Sequence, residues 1–272
     1  MRRPVLPGFG LTSGVTGAYL GLLVLLPLAG LLAKAATAEP GRAWALFADP
    51  RTLAAFRVSF GASAGAALLS VPMGLLLAWV LERYRFPGRR VLDAAVDLPL
   101  ALPTAVAGIA LTTLYVPDGW MGRLLAPLGI AVAFTPLGIG VALLFVALPF
   151  VVRAVQPVLA SLDPAADEAA AVLGASPWQA FRMVVLPPLL PAVATGAALG
   201  FARAVGEYGS VIFIAGNRPM VSEIVPLLIV TKLEQYDIPG AALLGAAMLL
   251  LSFALLAGIN RLQGWTGGRH AA

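Results

Sequence analysis

The chain has no cysteine and a single histidine. Without cysteine neither disulfides nor thiolate metal sites can be built, and redox chemistry says nothing about the compartment. His270 stands two residues from the end and carries no recognisable chemistry. Charge is scarce as well: 11% of the residues are Asp, Glu, Lys or Arg, against roughly 25% in soluble domains. The two lysines, Lys34 and Lys232, follow Ala33 and Thr231. A phosphate-binding loop needs glycine ahead of its lysine so that backbone amides can wrap the phosphate, so this chain has no nucleotide site of that kind. A net charge of +5 does not indicate nucleic acid, because the arginines are scattered through short segments and form no basic helix or aromatic-interleaved patch. Long polar stretches are missing too, which leaves no room for a globular enzyme.

What is present is hydrocarbon. Apolar side chains make up 60% of the 272 residues, and the mean hydropathy is +0.92. A membrane-crossing helix needs about 20 apolar residues, and six stretches qualify: about 16–33, 58–80, 96–115, 137–155, 189–206 and 240–260. Their length and their content of Leu, Ala and Gly fit helices, whereas a barrel would show short alternating strands. The sequence therefore predicts an all-α integral membrane protein with six transmembrane helices and one domain over 1–272. Arg2 and Arg3 ahead of an apolar run look like the start of a signal peptide, but that run exceeds the usual core of about 7–15 residues and lacks a clear cleavage site before Lys34. The first span reads as retained. If the spans alternate, Arg2, Arg3, Arg83, Arg85, Arg89, Arg90, Arg261 and Arg269 share one side, and their excess marks it as cytoplasmic, with both termini inside. Lys34, Arg42, Arg51 and Arg57, in or beside the first external segment, count against that orientation.

One polar stretch, 157–187, interrupts the hydrocarbon. Asp163-Pro164 places a capping carboxylate before a proline in the first turn, and Asp167 and Glu168 suit the positive end of the helix dipole. Gly174 supplies a left-handed residue to end this helix. Ser176-Pro177-Trp178-Gln179 then starts another with a capping box. Leu186-Pro187-Pro188 is expected to break the second helix, since proline disfavours helical geometry in the residue before it. The pattern is a helical hairpin, either a docking surface or a capped connector.

Within the spans, Pro99, Pro103 and Thr104 free backbone carbonyls at membrane depth, as a pathway-lining helix or a packed proline kink would. Gly196-x-x-x-Gly200 and Gly61-x-x-x-Gly65 predict close helix packing. Arg203 and Glu207 lie one turn apart, either as pathway or gate residues or as a mutually neutralising pair. Asp93 and Asp97 share one sign and one face, so at least one is expected to meet an arginine of the Arg83–Arg90 segment.

The spacing Glu168-Ala169-Ala170, Gly174, Val184, Leu186-Pro187 resembles the EAA loop of membrane-spanning subunits of binding-protein-dependent ABC importers. Further segments, at 5–9, 83–89, 97–108, 149–159 and 206–217, are similar to the CysT-type permeases of bacterial sulfate and thiosulfate importers. The resemblance implies a type I, MetI-like permease fold whose cytoplasmic coupling-helix hairpin, 157–187, docks on an ATPase through Glu168, Ala169, Ala170, Gly174, Leu186 and Pro187. It also implies a CysW-type second permease, a CysA-type ATPase dimer that binds ATP and Mg, and a periplasmic sulfate- or thiosulfate-binding protein. The chain itself would bind no cofactor and catalyse no reaction, in the bacterial inner membrane. Candidate pathway or gate residues are Pro103, Thr104, Arg203, Glu207 and Ser210. A molybdate or tungstate permease is the rival of the same class; the molybdate permeases share the Gly-Glu-aromatic-Gly and Ala-Gly-Asn elements but commonly carry Pro-Pro where this chain has Pro103-Thr104. A secondary anion transporter, the rival from another class, would show inverted repeats or ionisable relays at mid-bilayer, and no convincing repeat is visible.

Overall fold

A computed structural model describes residues 9–267, so Arg2, Arg3, Arg269, His270 and most of the 5–9 segment lie outside the described residues. Those described are helical or irregular, with no strand. Five helices are long and apolar enough to cross a membrane: Phe9–Ala36, Pro50–Arg83, Pro136–Ser161, Pro177–Val205 and Ile238–Ile259. They cover five of the six expected spans. The remaining one, 96–115, is discontinuous, with helices Leu98–Ala101 and Thr104–Tyr115 separated by an extended Leu102 (ψ 140°) and Pro103 (ψ 129°). Proline at 103 can neither donate to the carbonyl of residue 99 nor fit its ring beside it, and it pushes Leu102 out of helical geometry.

The break expected at Leu186-Pro187-Pro188 does not occur, and the helix runs on to Val205. A π turn over Phe181–Val185, in which the Leu186 amide donates to the Phe181 carbonyl, widens the coil immediately before the two prolines. The extra residue in that turn makes room for rings that would otherwise strike the preceding turn. The same device precedes Pro27, where a π turn over Gly21–Leu25 ends with the Leu26 amide on the Gly21 carbonyl.

Three helices, 50–83, 136–161 and 177–205, form the centre. Hydrocarbon surroundings give apolar helices little reason to associate, so close van der Waals contact at small residues must hold them. Val151 supplies the meeting point: a Cβ on Gly74 would lie 2.8 Å from the Val151 Cβ, and one on Gly196 2.7 Å from the Val151 Cα. Gly200 rests likewise on Ala147. Gly196 and Gly200 thus pack as their spacing predicts. Gly61 and Gly65 do not, since among the described residues no atom beyond their own stretch of helix backbone lies within 4 Å of where their Cβ would be. That face of the 50–83 helix points away from the bundle, beside the exposed Leu68 and Leu69.

Two apolar clusters fill the centre. One joins Leu81, Val151, Val155, Leu159, Val185 and Leu189 near the hairpin. The other joins Ile139, Leu143, Val211, Ile214 and Ile224 at the opposite end of the 136–161 helix. Short helices Pro40–Ala48, Trp120–Leu125, Gly209–Ile214 and Val225–Glu234 fill the connections. The first long helix packs against 238–259 but has no buried residue of its own.

Candidate functional site

The 157–187 stretch folds as its caps dictate. Asp163 accepts the Ala165 amide at 2.9 Å and opens the helix Pro164–Val172. Gly174, at φ +84°, closes it: the Gly174 amide donates to Ala171 and the Ala175 amide to Ala170, each at 3.0 Å. This paired closure is the Schellman arrangement, which needs a left-handed residue at that point. Ser176 and Gln179 then exchange both capping-box bonds, at 2.8 and 3.3 Å. The turn depends on its own sequence for shape and leaves its apolar tip uncovered. Val172 and Leu173 are 87% and 86% exposed. Glu168, Ala169 and Gly174 are exposed beside them, and Ala170 is half-buried. Leu186 and Pro187 belong elsewhere: they sit half-buried in the 177–205 helix beyond the π turn. Sequence reasoning missed Val172 and Leu173, although two adjacent large apolar residues at the end of a short polar helix are a legible sign of surface awaiting cover.

The hairpin is joined to the end of the 50–83 helix by aromatic and charged contacts. Trp79 meets Phe181 edge-on at 5.6 Å, and Phe181 stacks on Trp178 at the same distance. The Arg83 guanidinium lies 5.4 Å over the Trp79 ring, with Nη2 3.2 Å from the Asp167 carboxylate. Beside this joint, Arg153 gathers the residues that follow. Its Nε and Nη2 donate to the two Asp97 oxygens at 2.8 and 2.6 Å, while Nη1 donates to Asp93 at 2.7 Å and Gln156 at 2.6 Å. Asp93 and Asp97 therefore pair with Arg153, not with the Arg83–Arg90 segment, where Arg89 faces Glu82 at 3.5 Å. A guanidinium with five donors can satisfy two carboxylates one turn apart, and 149–159 carries the arginine past them. Hydrogen bonds from Arg153 and then Gln156 hold the Asp93 carboxyl below its usual range.

Residues 70–267 match the family of binding-protein-dependent transport system inner membrane components. The chain belongs to this family. It is 46% identical to the sulfate transport system permease protein CysT of Escherichia coli strain K12 over 98% of this chain and 96% of that one. The CysT proteins of Synechococcus elongatus and Synechocystis are 49% and 50% identical over 92% and 94% of this chain, and 90% of each relative is covered. Among solved structures, a bacterial ABC transporter involved in import of the acidic polysaccharide alginate superposes with a TM-score of 0.75, over 94% of this chain and 95% of that one, at 17% identity. The MetNI methionine ABC transporter, in an inward-facing conformation, gives 0.58 over 84% and 99%, at 18% identity. The chain is thus an ABC-importer permease of CysT type with the MetI-like fold.

In this permease the candidate pathway residues converge on one junction. Thr104, which follows the break at Pro103, packs against Gly209, and Gly108 one turn on packs against the Ser210 backbone. Ser210 donates both its amide, at 2.9 Å, and its hydroxyl, at 3.0 Å, to Glu207 Oε1. Arg203 holds the other Glu207 oxygen as an i,i+4 pair, with the carboxylate buried and the guanidinium about one-third exposed. Of the two readings of Arg203 and Glu207, the mutually neutralising pair is the one the structure shows.

Two further carboxylates, Glu223 and Asp237, have cationic partners that had no signal in the sequence. Arg51 grips Glu223 with Nε and Nη2, both at 2.7 Å. Glu223 is 1% exposed. Nearby, the Val225 amide donates to the buried Ser59 hydroxyl at 2.8 Å. Arg42 and Lys232 converge on Asp237 at 2.7 and 3.4 Å. Arg42 and Arg51, two of the four cations that counted against the orientation, are thus tied to carboxylates. Among the described residues no group of three or more His, Cys, Asp or Glu side chains is placed to hold a metal ion.

Proposed function

We propose that this chain is the membrane-spanning permease of an ATP-driven importer that carries sulfate, and thiosulfate with it, into the bacterial cytoplasm. The cargo is supported by the near-full-length likeness to sulfate transport permeases. One observation carries the coupling mechanism: a self-capped hairpin that presents Val172 and Leu173 to solvent, which is how a preformed knob for a separate subunit is built. A CysA-type ATPase dimer receives the knob, with Glu168, Ala169, Ala170 and Gly174 at the contact and ATP and Mg bound on the partner. A CysW-type permease completes the pore, and a periplasmic binding protein delivers the anion. The sixth crossing is made by the broken segment 98–115, with both termini inside. Closure of the ATPase dimer then moves the hairpin, and the joint of Trp79, Arg83 and Phe181 passes that motion to the 50–83 helix, biasing one of two bundle arrangements.

The test is uptake. A deletion strain loses uptake of labelled sulfate when sulfate is the sole sulfur source and keeps molybdoenzyme activity; the reverse pattern identifies a molybdate permease and sinks the sulfate assignment. Orientation is tested separately in this cysteine-free chain. Ala170→Cys is protected from a membrane-impermeant thiol reagent in sealed cells, and labelling from outside would overturn the topology.

A further inference from the structure

Between the hairpin and the span it joins lies an open groove of about 540 Å³. Leu75 and Leu76 form its deep end, and the rings of Trp79, Tyr84, Trp178 and Phe181 form the other. Leu76, Tyr84 and Trp178 are exposed, so the groove opens outward. Three arginines flank the aromatic end. Arg83 and Arg85 bracket Tyr84, and Arg182 follows Phe181. Arg85 and Arg182 are exposed and have no hydrogen-bond or ion-pair partner among the described residues. Arg83 is near Asp167 as an ion pair, yet its Nε and Nη2 are shielded from solvent and make no hydrogen bond.

We propose that this groove binds an anionic phospholipid of the inner leaflet, with an acyl chain against Leu75 and Leu76 and the phosphate among Arg83, Arg85 and Arg182. Depth and charge select this occupant. Leu76 lies seven residues before Arg83, about 10 Å further along the helix axis, which is beyond the reach of a water-soluble partner seated on the hairpin. Indole and phenol rings settle at the membrane–water boundary, and unpaired arginines just beyond them attract the anionic headgroups of the cytoplasmic leaflet. One lipid would touch the span through Trp79 and the hairpin through Trp178 and Phe181, bracing the joint between them. The site rests on the cytoplasmic placement of the hairpin and does not depend on the identity of the cargo.

The test uses the assembled importer, purified in mild detergent and reconstituted in bilayer discs of phosphatidylcholine with or without phosphatidylglycerol. Native mass spectrometry reads the lipid retained on this chain. One phosphatidylglycerol per chain is expected, in preference to phosphatidylcholine. Arg85→Gln and Arg182→Gln each lower that preference about fivefold, the equivalent of ~1 kcal/mol per basic residue at an anionic surface. Leu76→Trp fills the groove and loses the lipid, while the paired arginine substitutions, being on exposed side chains, keep the chain folded if the groove variant does not. Equal retention of the two lipids by the parent, or undiminished retention in Leu76→Trp, overturns the proposal. So does protection of Trp79 and Trp178 from quenching by brominated acyl chains in the full assembly, which would assign the groove to a protein partner. Labelled sulfate uptake by the parent complex tests the transport reading independently, so the two can fail separately.

Discussion

Removing Arg51 and removing the charge of Glu223 should have unequal consequences, because the two ends of this pair see different surroundings. The Glu223 carboxylate is 1% exposed, whereas the Arg51 side chain is 37% exposed. Both carboxylate oxygens take their hydrogen bonds from Arg51, at 2.7 Å, and no other donor reaches them among the described residues. Arg51→Met therefore strands a buried anion. Breaking a fully buried pair costs about 3–5 kcal/mol, and the partial exposure of Arg51 reduces this to about 2–4 kcal/mol through solvent screening. Glu223→Gln keeps the shape of the side chain and one acceptor, and leaves a guanidinium that can turn to water, so its cost is about 1 kcal/mol. The double variant has no anion to strand and should be more stable than Arg51→Met alone. Tryptophan fluorescence during thermal unfolding in mild detergent reads all three, with each kcal/mol lowering Tm by about 2–4 °C for a chain of this size. Additive losses in the double variant, or equal losses in the two single variants, would refute the claim that Arg51 is what makes the buried Glu223 tolerable.

Three other perturbations test different parts of the fold. Gly196→Leu drives a side chain into Val151 and should reduce membrane abundance by an overpacking cost of about 1–3 kcal/mol, whereas Gly65→Leu, on the open face, should leave abundance unchanged; immunoblotting of membranes distinguishes them. Burial pushes the Asp237 carboxyl upward, but the Gly240 amide, Arg42 and Lys232 outweigh it and hold the group below its ordinary value. The clasp therefore stabilises above about pH 4 and is lost as acid protonates it, so Asp237→Asn should lower Tm by about 2–4 °C at pH 7, with the gap closing as the pH falls below the ordinary carboxylate range. Gly174→Asp incurs only about 1–2 kcal/mol of backbone cost at φ +84° and meets no neighbour, so the permease should insert normally yet lose sulfate uptake if the hairpin docks as proposed, because a carboxylate would then sit at the contact; normal uptake at normal abundance would reduce Gly174 to a connector residue.

Local chemistry made the hairpin legible in the sequence. Asp163, Gly174, Ser176 and Gln179 act within a few residues of themselves, and each cap forms as its residue type predicts. Span positions were legible for the same reason, since hydropathy is a property of the segment. What escaped were relations between distant segments. Arg153 is sixty residues from Asp93, and Arg51 is 172 residues from Glu223. A lone arginine in an apolar run announces that it needs a partner without saying which carboxylate provides it. Glu223 was invisible because it lies in an irregular connection, where a charged residue ordinarily faces water. Gly61-x-x-x-Gly65 and Gly196-x-x-x-Gly200 are alike as strings, and only the placement of Val151 and Ala147 separates the packed motif from the open one.

The prolines show how spacing decides between a continuous and a broken span. Pro149 and Pro157 lie inside the 136–161 helix and Pro191 inside 177–205, each with intact turns on either side to hold the ladder together. Pro27 and the pair Pro187-Pro188 follow π turns, whose extra residue accommodates the rings without ending the helix. Pro99 stands in the first turn of Leu98–Ala101, where its missing amide costs no hydrogen bond. Pro103 has no such provision: it follows after that single short turn and cannot supply the bond that the carbonyl of residue 99 would receive. The chain stops at Leu102 and restarts at Thr104, where Gly209 packs on Thr104 and the Ser210 backbone packs on Gly108. The same restart sets Thr104 beside the Arg203–Glu207–Ser210 junction. The feature that denies this segment a continuous span is therefore what sets Thr104 on Gly209, beside an Arg203–Glu207–Ser210 group that its own bonds hold together, and filling the break with Pro103→Ala should part Thr104 from Gly209 before it destabilises the bundle.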